Sequence, residues 1–243
     1  MGRRSAFACV AFVLLLLAGC SGQPSGPEQQ TSAPPAPVST GGSADRNKTH
    51  PEGKGARLLK SGFGQSGRYA WATSLVENKA EGNVGQFVTV GFNLLDSHGK
   101  IVASADQVEK FSRADEKLAV GTQVDIPDRG KVVKVQATMD VSEQPNVAAE
   151  PFPKITTGDV KVVRSEYSEY GDRVGRVRVN NPTNESLKSP RVSLICLNSK
   201  DRVIGGGAAY PELVPPAGTV LAEVTLIASG KIKRCEAYAG PGL

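Results

Sequence analysis

Phe92-Asn93-Leu94-Leu95-Asp96-Ser97 returns 102 residues later as Leu194-Ile195-Cys196-Leu197-Asn198-Ser199. The echo continues with Ile101-Val102 and Val203-Ile204 at the same spacing. Each copy is a short apolar run closed by a small polar residue. In a strand, Phe92 and Leu94 point to one face and Asn93 and Leu95 to the other, so Phe92 and Leu94 are expected in a core. Asp96 then opens the turn Asp96-Ser97-His98-Gly99. A short carboxylate accepts nearby backbone N–H groups, and Gly99 tolerates positive φ. Asn198 can do the same in the second copy, so Asp96 reads as a turn former and not as a catalytic acid or metal ligand.

Working outward, Leu75-Val76-Glu77-Asn78 matches Val177-Arg178-Val179-Asn180, again 102 residues on. Ala119-Val120-Gly121-Thr122 resembles Pro216-Ala217-Gly218-Thr219 at a spacing of 97, and Lys60-Ser61-Gly62-Phe63 echoes Arg164-Ser165-Glu166-Tyr167. Between these matches, apolar and polar residues alternate (Phe87 to Phe92, Val133 to Ala137), and Gly, Asn, Asp or Pro intervene every eight to twelve residues. Regular short strands with turn signals predict an all-β sandwich or barrel, here duplicated. The charged stretch Glu109–Ala119 is expected as a short helical turn or an exposed loop. The predicted organisation is a β-sandwich over 57–142, a Pro-punctuated linker over 143–155 and a second β-sandwich over 156–243.

The repeat makes Leu94 the counterpart of Cys196. Carried on at the same spacing, it makes Val133 the counterpart of Cys235. Two interior positions that touch in both copies would hold an apolar contact, Leu94–Val133, in the first and a disulfide, Cys196–Cys235, in the second. A single cysteine pair in an exported chain is expected to be oxidised.

The run Phe92-Asn93-Leu94-Leu95-Asp96 resembles the F-x-L-y-D motif that names the FxLyD domain. Glu77-Asn78-Lys79 precedes it and Gly99-Lys100-Ile101-Val102 follows it, and the resemblance covers most of 67–139. Leu95 stands where the motif has Tyr. The second copy fits through the repeat. The family is an immunoglobulin-like β-sandwich of extracytoplasmic proteins, often lipoproteins, with no established enzymatic activity. The resemblance therefore implies two tandem immunoglobulin-like domains, in which Phe92, Leu94 and Asp96 are structural and no catalytic residue or cofactor is carried over.

The N-terminus supplies an address. Arg3 and Arg4 precede an unbroken apolar run, Ala6 to Ala18, which is too short to span a bilayer and has the layout of a secretory signal. Leu17-Ala18-Gly19-Cys20 resembles the lipobox of bacterial lipoproteins, which implies a signal peptide over 1–19, cleavage before Cys20 and a diacylglyceryl group on its thiol. Cys9 would leave with the signal. Residues 20–56, rich in Ser, Gly, Pro, Gln and Thr, are expected to form a disordered tether. The chain is thus expected at the cell membrane, lipid-anchored on the extracytoplasmic face.

Composition excludes little else. Removing Arg3 and Arg4 leaves 27 Lys+Arg against 24 Asp+Glu, a net +3, so no basic face large enough for nucleic acid is expected. Arg173, Arg176 and Arg178 read as a solvated sheet face, with weak attraction to an anionic envelope polymer as the sharper alternative. Trp71 reads as a sandwich-core side chain. Tyr167, Tyr170, Tyr210 and Tyr238 show no grouping spacing. Gly205-Gly206-Gly207 lacks the residues of a phosphate loop and reads as an edge strand, bulge or loose turn. His50 and His98 are isolated, and no metal-ligand spacing, nucleophile elbow or catalytic triad is apparent. The expected role is non-catalytic binding or scaffolding at the envelope, with no cofactor, no metal and an envelope protein or wall polymer as partner. The alternatives are a wall-polymer or carbohydrate-binding module and an accessory subunit of a transport or export complex.

Overall fold

A computed structural model describes residues 52–53, 55–127, 130–142, 152–165 and 173–242. The signal segment, Cys9, Cys20, the tether up to residue 51, His50, most of the linker (143–151), Tyr167 and Tyr170 lie outside the described residues. The chain is all-β. Its strands are β1 (Glu52–Gly53), β2 (Ala56–Ser66), β3 (Tyr69–Asn78), β4 (Phe87–Leu95), β5 (Ile101–Lys110), β6 (Lys117–Asp125), β7 (Lys134–Val141), β8 (Thr156–Thr157), β9 (Lys161–Arg164), β10 (Arg173–Asn180), β11 (Leu187–Lys188), β12 (Arg191–Leu197), β13 (Val203–Ala209), β14 (Leu213–Val214), β15 (Thr219–Ala228) and β16 (Arg234–Gly240). Strand pairing begins at Glu52, upstream of the boundary expected at 57.

The first half stacks a four-stranded sheet, β1-β2-β3-β6, on a three-stranded sheet, β5-β4-β7. Their inner faces enclose Val76, Val88, Val90, Phe92, Leu94, Phe111 and Val120. The second half repeats the pairing: β8 and β9 on β10, β10 on β15, and β13 and β16 on β12. Its core holds Val177, Val179, Val192, Leu194, Val224 and Leu226. One addition distinguishes it. Gly205 and Gly206 of β13 pair with Ala228 and Ile227 of β15, joining its two layers along one edge. Gly205-Gly206-Gly207 is therefore strand interior, flanked on both sides. A Cβ at Gly205 or Gly207 would run into carbonyl oxygens of Ile227 or Thr225, which is why glycine occupies this crossing.

Register fixes the equivalences between halves. Both β4 and β12 carry an irregularity at the same place, between Leu94 and Leu95 and between Cys196 and Leu197. That anchors the 102-residue spacing for β4 and β5. The spacing fails for β3. Val76 faces the first core and Val179 the second, so Val76 corresponds to Val179 and Asn78 to Asn181, one residue beyond the match read from sequence. A one-residue slip turns every side chain to the opposite face, and likeness of residue type does not report facing. The hydrogen bonds agree. Asn78 Oδ1 accepts from Ala80 N at 3.1 Å, and Asn181 Oδ1 accepts from Thr183 N at 3.0 Å.

Three further expectations are corrected in the same way. Pairing places Leu118 and Val120 of β6 at the positions that Val220 and Ala222 occupy in β15, so the spacing there is 102 and not 97. Pro216 to Thr219 leads into β15 through a turn in which Ala217 has φ 48°. Upstream, Phe63 packs on the first core and Val162 on the second, so β2 corresponds to β8 and β9 at a spacing of 99. The partner of Leu94 is Val135 and not Val133, because β7 and β16 stand 100 residues apart. Val133 is 47 % exposed.

Glu109–Ala119 is neither helix nor open loop. It comprises the end of β5, a turn with Asp115 at φ 54°, and the start of β6, and Glu109, Phe111, Ser112 and Glu116 are buried. Glu116 accepts from Ser112 N and Oγ at 2.7 Å each. Arg113 pairs with Glu116 at 3.0 Å and donates to the carbonyls of Phe152 and Pro153, fastening the end of the linker.

Candidate functional site

Cys196 and Cys235 face each other across β12 and β16 and are disulfide-bonded, with Cα atoms 4.0 Å apart. Phe92 and Leu94 are fully buried. Asp96 Oδ1 accepts from His98 N at 2.8 Å and Lys100 N at 3.0 Å, which lowers its carboxyl below the usual range. Asn198 Oδ1 accepts from Lys200 N and Arg202 N at 2.9 and 3.1 Å, the same turn rebuilt without charge.

The described residues fall in a single compact unit, so the two halves share a joint. Most of the features that sequence reasoning missed lie in it. The outer face of β3 and β6 in the first half lies on the outer face of β12 in the second. Leu75, Ala119, Ile195 and Leu197 form an apolar cluster there, with Leu59, Val203 and Tyr238 packed against it. At one end, glycines bring backbones together: a Cβ at Gly62 would strike Val203, and one at Gly64 would strike Ala228 and the carbonyls of Ile204 and Ile227. Gln65 N donates to Ser229 Oγ at 2.8 Å across the joint.

Trp71 lies on the same strand face as Leu75, opposite the sandwich core, and is 9 % exposed. A Cβ on Gly206 would come within 3.0 Å of its Nε1. The expectation of a sandwich-core tryptophan is corrected: it is an inter-half side chain, and its indole N–H has no acceptor among the described residues.

At the other end sits a buried ion pair. Arg191 Nη1 lies 3.0 Å from Glu109 Oε1, with both side chains 7 % exposed. Arg191 Nη2 donates to Gly121 O, Nε to Ser193 Oγ and Nη1 to Tyr210 OH, and the guanidinium lies over the Tyr210 ring. Burial pushes the Glu109 carboxyl up to about 7, against the Arg191 charge and a hydrogen bond from Gln107.

Two sheet faces are uncovered among the described residues. In the first half it is the outer face of β5-β4-β7. The side chains opposite one another there are Ser104, Asn93 and Gln136, then Asp106, Gly91 and Thr138, then Val108, Thr89 and Asp140. Asp106 Oδ1 and Thr138 Oγ1 lean over Gly91, where a Cβ would lie 2.9 Å from each. In the second half it is the outer face of β9-β10-β15. Arg176 stands between Lys161 and Glu223 and pairs with Glu223 at 2.7 Å. Arg178 and Leu221 are exposed opposite each other. Arg173 turns to the end of the sheet, where its Nη1 donates to Gly230 O at 2.9 Å. The three arginines of the sequence reading therefore do not form one groove. Elsewhere, an open groove of about 580 Å³ is lined by Phe63, Gln65, Gly67, Gly130, Lys131, Val132, Val133 and Ser229. Gln65 closes much of its polar wall by donating to Gly130 O and accepting from Val132 N.

Among the described residues, no group of three or more His, Cys, Asp or Glu side chains is placed to hold a metal ion. No described helix is long and apolar enough to cross a membrane. No protein-family model matches the chain, and no curated protein matches it. Among solved structures, that of red sea bream transglutaminase aligns with 77 % of this chain at 14 % identity and a TM-score of 0.25. The chain spans 29 % of that protein's length, and a likeness at this level carries no argument.

Proposed function

We propose that this chain is a lipoprotein held by Cys20 at the extracytoplasmic face of the cell membrane, where its two immunoglobulin-like halves serve a non-catalytic binding or scaffolding role. One observation carries the reading. The buried polar chemistry, Arg191 with Glu109, is spent on fixing one half against the other, while the accessible polar chemistry is spread over two broad sheet faces. Such a body suits recognition by surface, in which rigid halves present defined faces. The disulfide fits an oxidising compartment. The FxLyD-like and lipobox-like motifs support the fold family and the anchor in this reading.

A wall-polymer module would favour an exposed aromatic strip. Among the described residues, Trp71 is enclosed and Tyr210, hydrogen-bonded to Arg191, is 53 % exposed, so that alternative draws its support from Tyr210, Arg178 and Lys161. Two experiments test the proposal. Membrane fractionation of wild type and Cys20→Ala addresses the anchor: wild type is expected in the membrane fraction and the variant released from it, and identical fractionation overturns the anchor. Crosslinking in intact cells addresses the role. Recovery of a stoichiometric protein partner supports scaffolding, and recovery of wall glycan alone moves the reading to the polymer module.

A further inference from the structure

Strand β7 ends its sheet. The order β5-β4-β7 gives it β4 on one side and, among the described residues, no strand on the other. It is 8 residues long and holds neither proline nor glycine. In an antiparallel ladder only every second residue bonds to a given neighbour. Ser142 N donates to Phe87 O at 2.9 Å, in register with the Val88–Val141 pairing. Asp140, Thr138 and Gln136 therefore bond to β4, and Met139, Ala137 and Val135 turn their N–H and C=O groups to the open edge.

The second half supplies the comparison. Its equivalent strand is β16, with Ala237 where β7 has Ala137. Ala237 O points away from β12 and accepts from Thr157 Oγ1 at 3.1 Å. Thr157 pairs with Val179 as Leu58 pairs with Val76, so the first half has Leu58 at the position of that hydroxyl. The edge of β16 is capped by a side chain, and that of β7 lacks the cap. An edge of this kind is a template for a further strand.

The residues of β7 say which strand fits. Lys134, Gln136, Thr138 and Asp140 line its exposed side, and Val135, Ala137 and Met139 pack at the margin of the first core. Place a second β7 antiparallel to it with the two Ala137 residues opposite each other. Lys134 of each copy then faces Asp140 of the other, Gln136 faces Thr138, and Val135 faces Met139. The residues with edge-facing backbone groups meet one another, as a hydrogen-bonded ladder requires. A shift of two residues either way sets Lys134 beside Thr138 or Ser142 and loses the charge pairs. Neither Lys134 nor Asp140 has an ion-pair partner among the described residues. Asp106 and Lys110 of the same sheet face lie on β5, with β4 between them and this edge.

We propose that two copies of this chain associate edge to edge through β7, antiparallel about a twofold axis at Ala137, so that β5-β4-β7 continues into the same sheet of the second copy. The contact is isologous and closes at a dimer. Backbone hydrogen bonds supply the attraction, and the Lys134–Asp140 pairs fix the register. The inference rests on the strand edge alone. A monomeric result would leave the anchored, non-catalytic reading standing.

The test is sedimentation of the full chain in detergent across rising protein concentration. Wild type is expected to reach a dimer and stop there. Lys134→Asp sets carboxylates opposite each other at both ends of the contact, and Asp140→Lys does the same with ammonium groups. Each single variant is expected to dimerise about tenfold more weakly or worse. An equimolar mixture of the two brings opposite charges together at both ends and is expected to form a heterodimer. The double variant, Lys134→Asp with Asp140→Lys, is expected to dimerise as wild type does. Both positions are exposed, and circular dichroism and melting temperature check that each variant is folded. A monomeric wild type overturns the proposal and leaves the edge to a strand of another protein. Species beyond a dimer, single variants as tight as wild type, or a mixture no tighter than either variant alone would overturn it as well.

Discussion

Arg191 of the second half and Glu109 of the first lie 3.0 Å apart with almost no solvent contact, and the guanidinium also reaches Gly121 O, on the first half. One side chain therefore ties strand β12 to two strands of the other half. Removing one partner leaves the other charge buried and uncompensated, an effect on the order of 3–5 kcal/mol. Arg191→Ala is expected to destabilise by about that much in denaturant unfolding. Replacing both residues together, as Arg191→Met with Glu109→Leu, is expected to recover most of the loss. A double variant as unstable as Arg191→Ala would contradict the pairing.

The same carboxylate predicts a pH dependence. Burial raises the folded-state pKa of Glu109 from 4.5 to about 7, so the folded chain holds this proton more tightly than the unfolded chain does. The stabilisation is complete below pH 4.5 and fades as pH rises through about 7. Between pH 5 and 8 the Glu109 contribution should fall by on the order of 2–3 kcal/mol. Comparing wild type with Glu109→Gln across that range isolates it, since the variant should lack this slope. Equal slopes in the two proteins would sink the assignment.

Trp71 is the single tryptophan of the chain and sits at the joint. Its indole N–H is buried without an acceptor, so Trp71→Phe removes an unmet donor as well as some packing. We expect a change within about 1 kcal/mol for Phe, against about 3–5 kcal/mol for Ala. Comparable losses in thermal melts of the two variants would show that the N–H does have a partner.

The Cys196–Cys235 bond spans 39 residues. Its removal by Cys196→Ala with Cys235→Ala is expected to destabilise by about 4 kcal/mol in the chain-entropy model. The first half offers the counterpart test. Leu94 and Val135 occupy the equivalent facing positions, so Leu94→Cys with Val135→Cys should oxidise to a second bridge, visible in a non-reducing peptide map. Leu94→Cys with Val133→Cys should not, because Val133 is exposed beside the strand end.

Much of this was legible in the chain itself. The 92–97 and 194–199 runs located β4 and β12 correctly, because their turn chemistry is local: Asp96 and Asn198 make the same hydrogen bonds. The β3 match slipped by one residue because likeness of type does not report which face a side chain takes. Gly205 to Gly207 look like a loose segment until β15, Gly62 and Gly64 are brought beside them. Arg191 looks like any surface arginine, and its partner lies 82 residues away, which no local pattern encodes. One signal of the joint was present. Strand β12, Arg191–Leu197, is buried on both faces, and its unbroken apolar run Leu194 to Leu197 is the mark of a strand covered on both sides.

The central claim is that the two halves are one rigid body, docked face on face through Arg191, Trp71 and the glycine seam. Residual dipolar couplings, measured separately for residues 55–127 and 173–242 in a weakly aligned sample, test it most directly. A single alignment tensor for both halves is the predicted result, and two distinct tensors would contradict it.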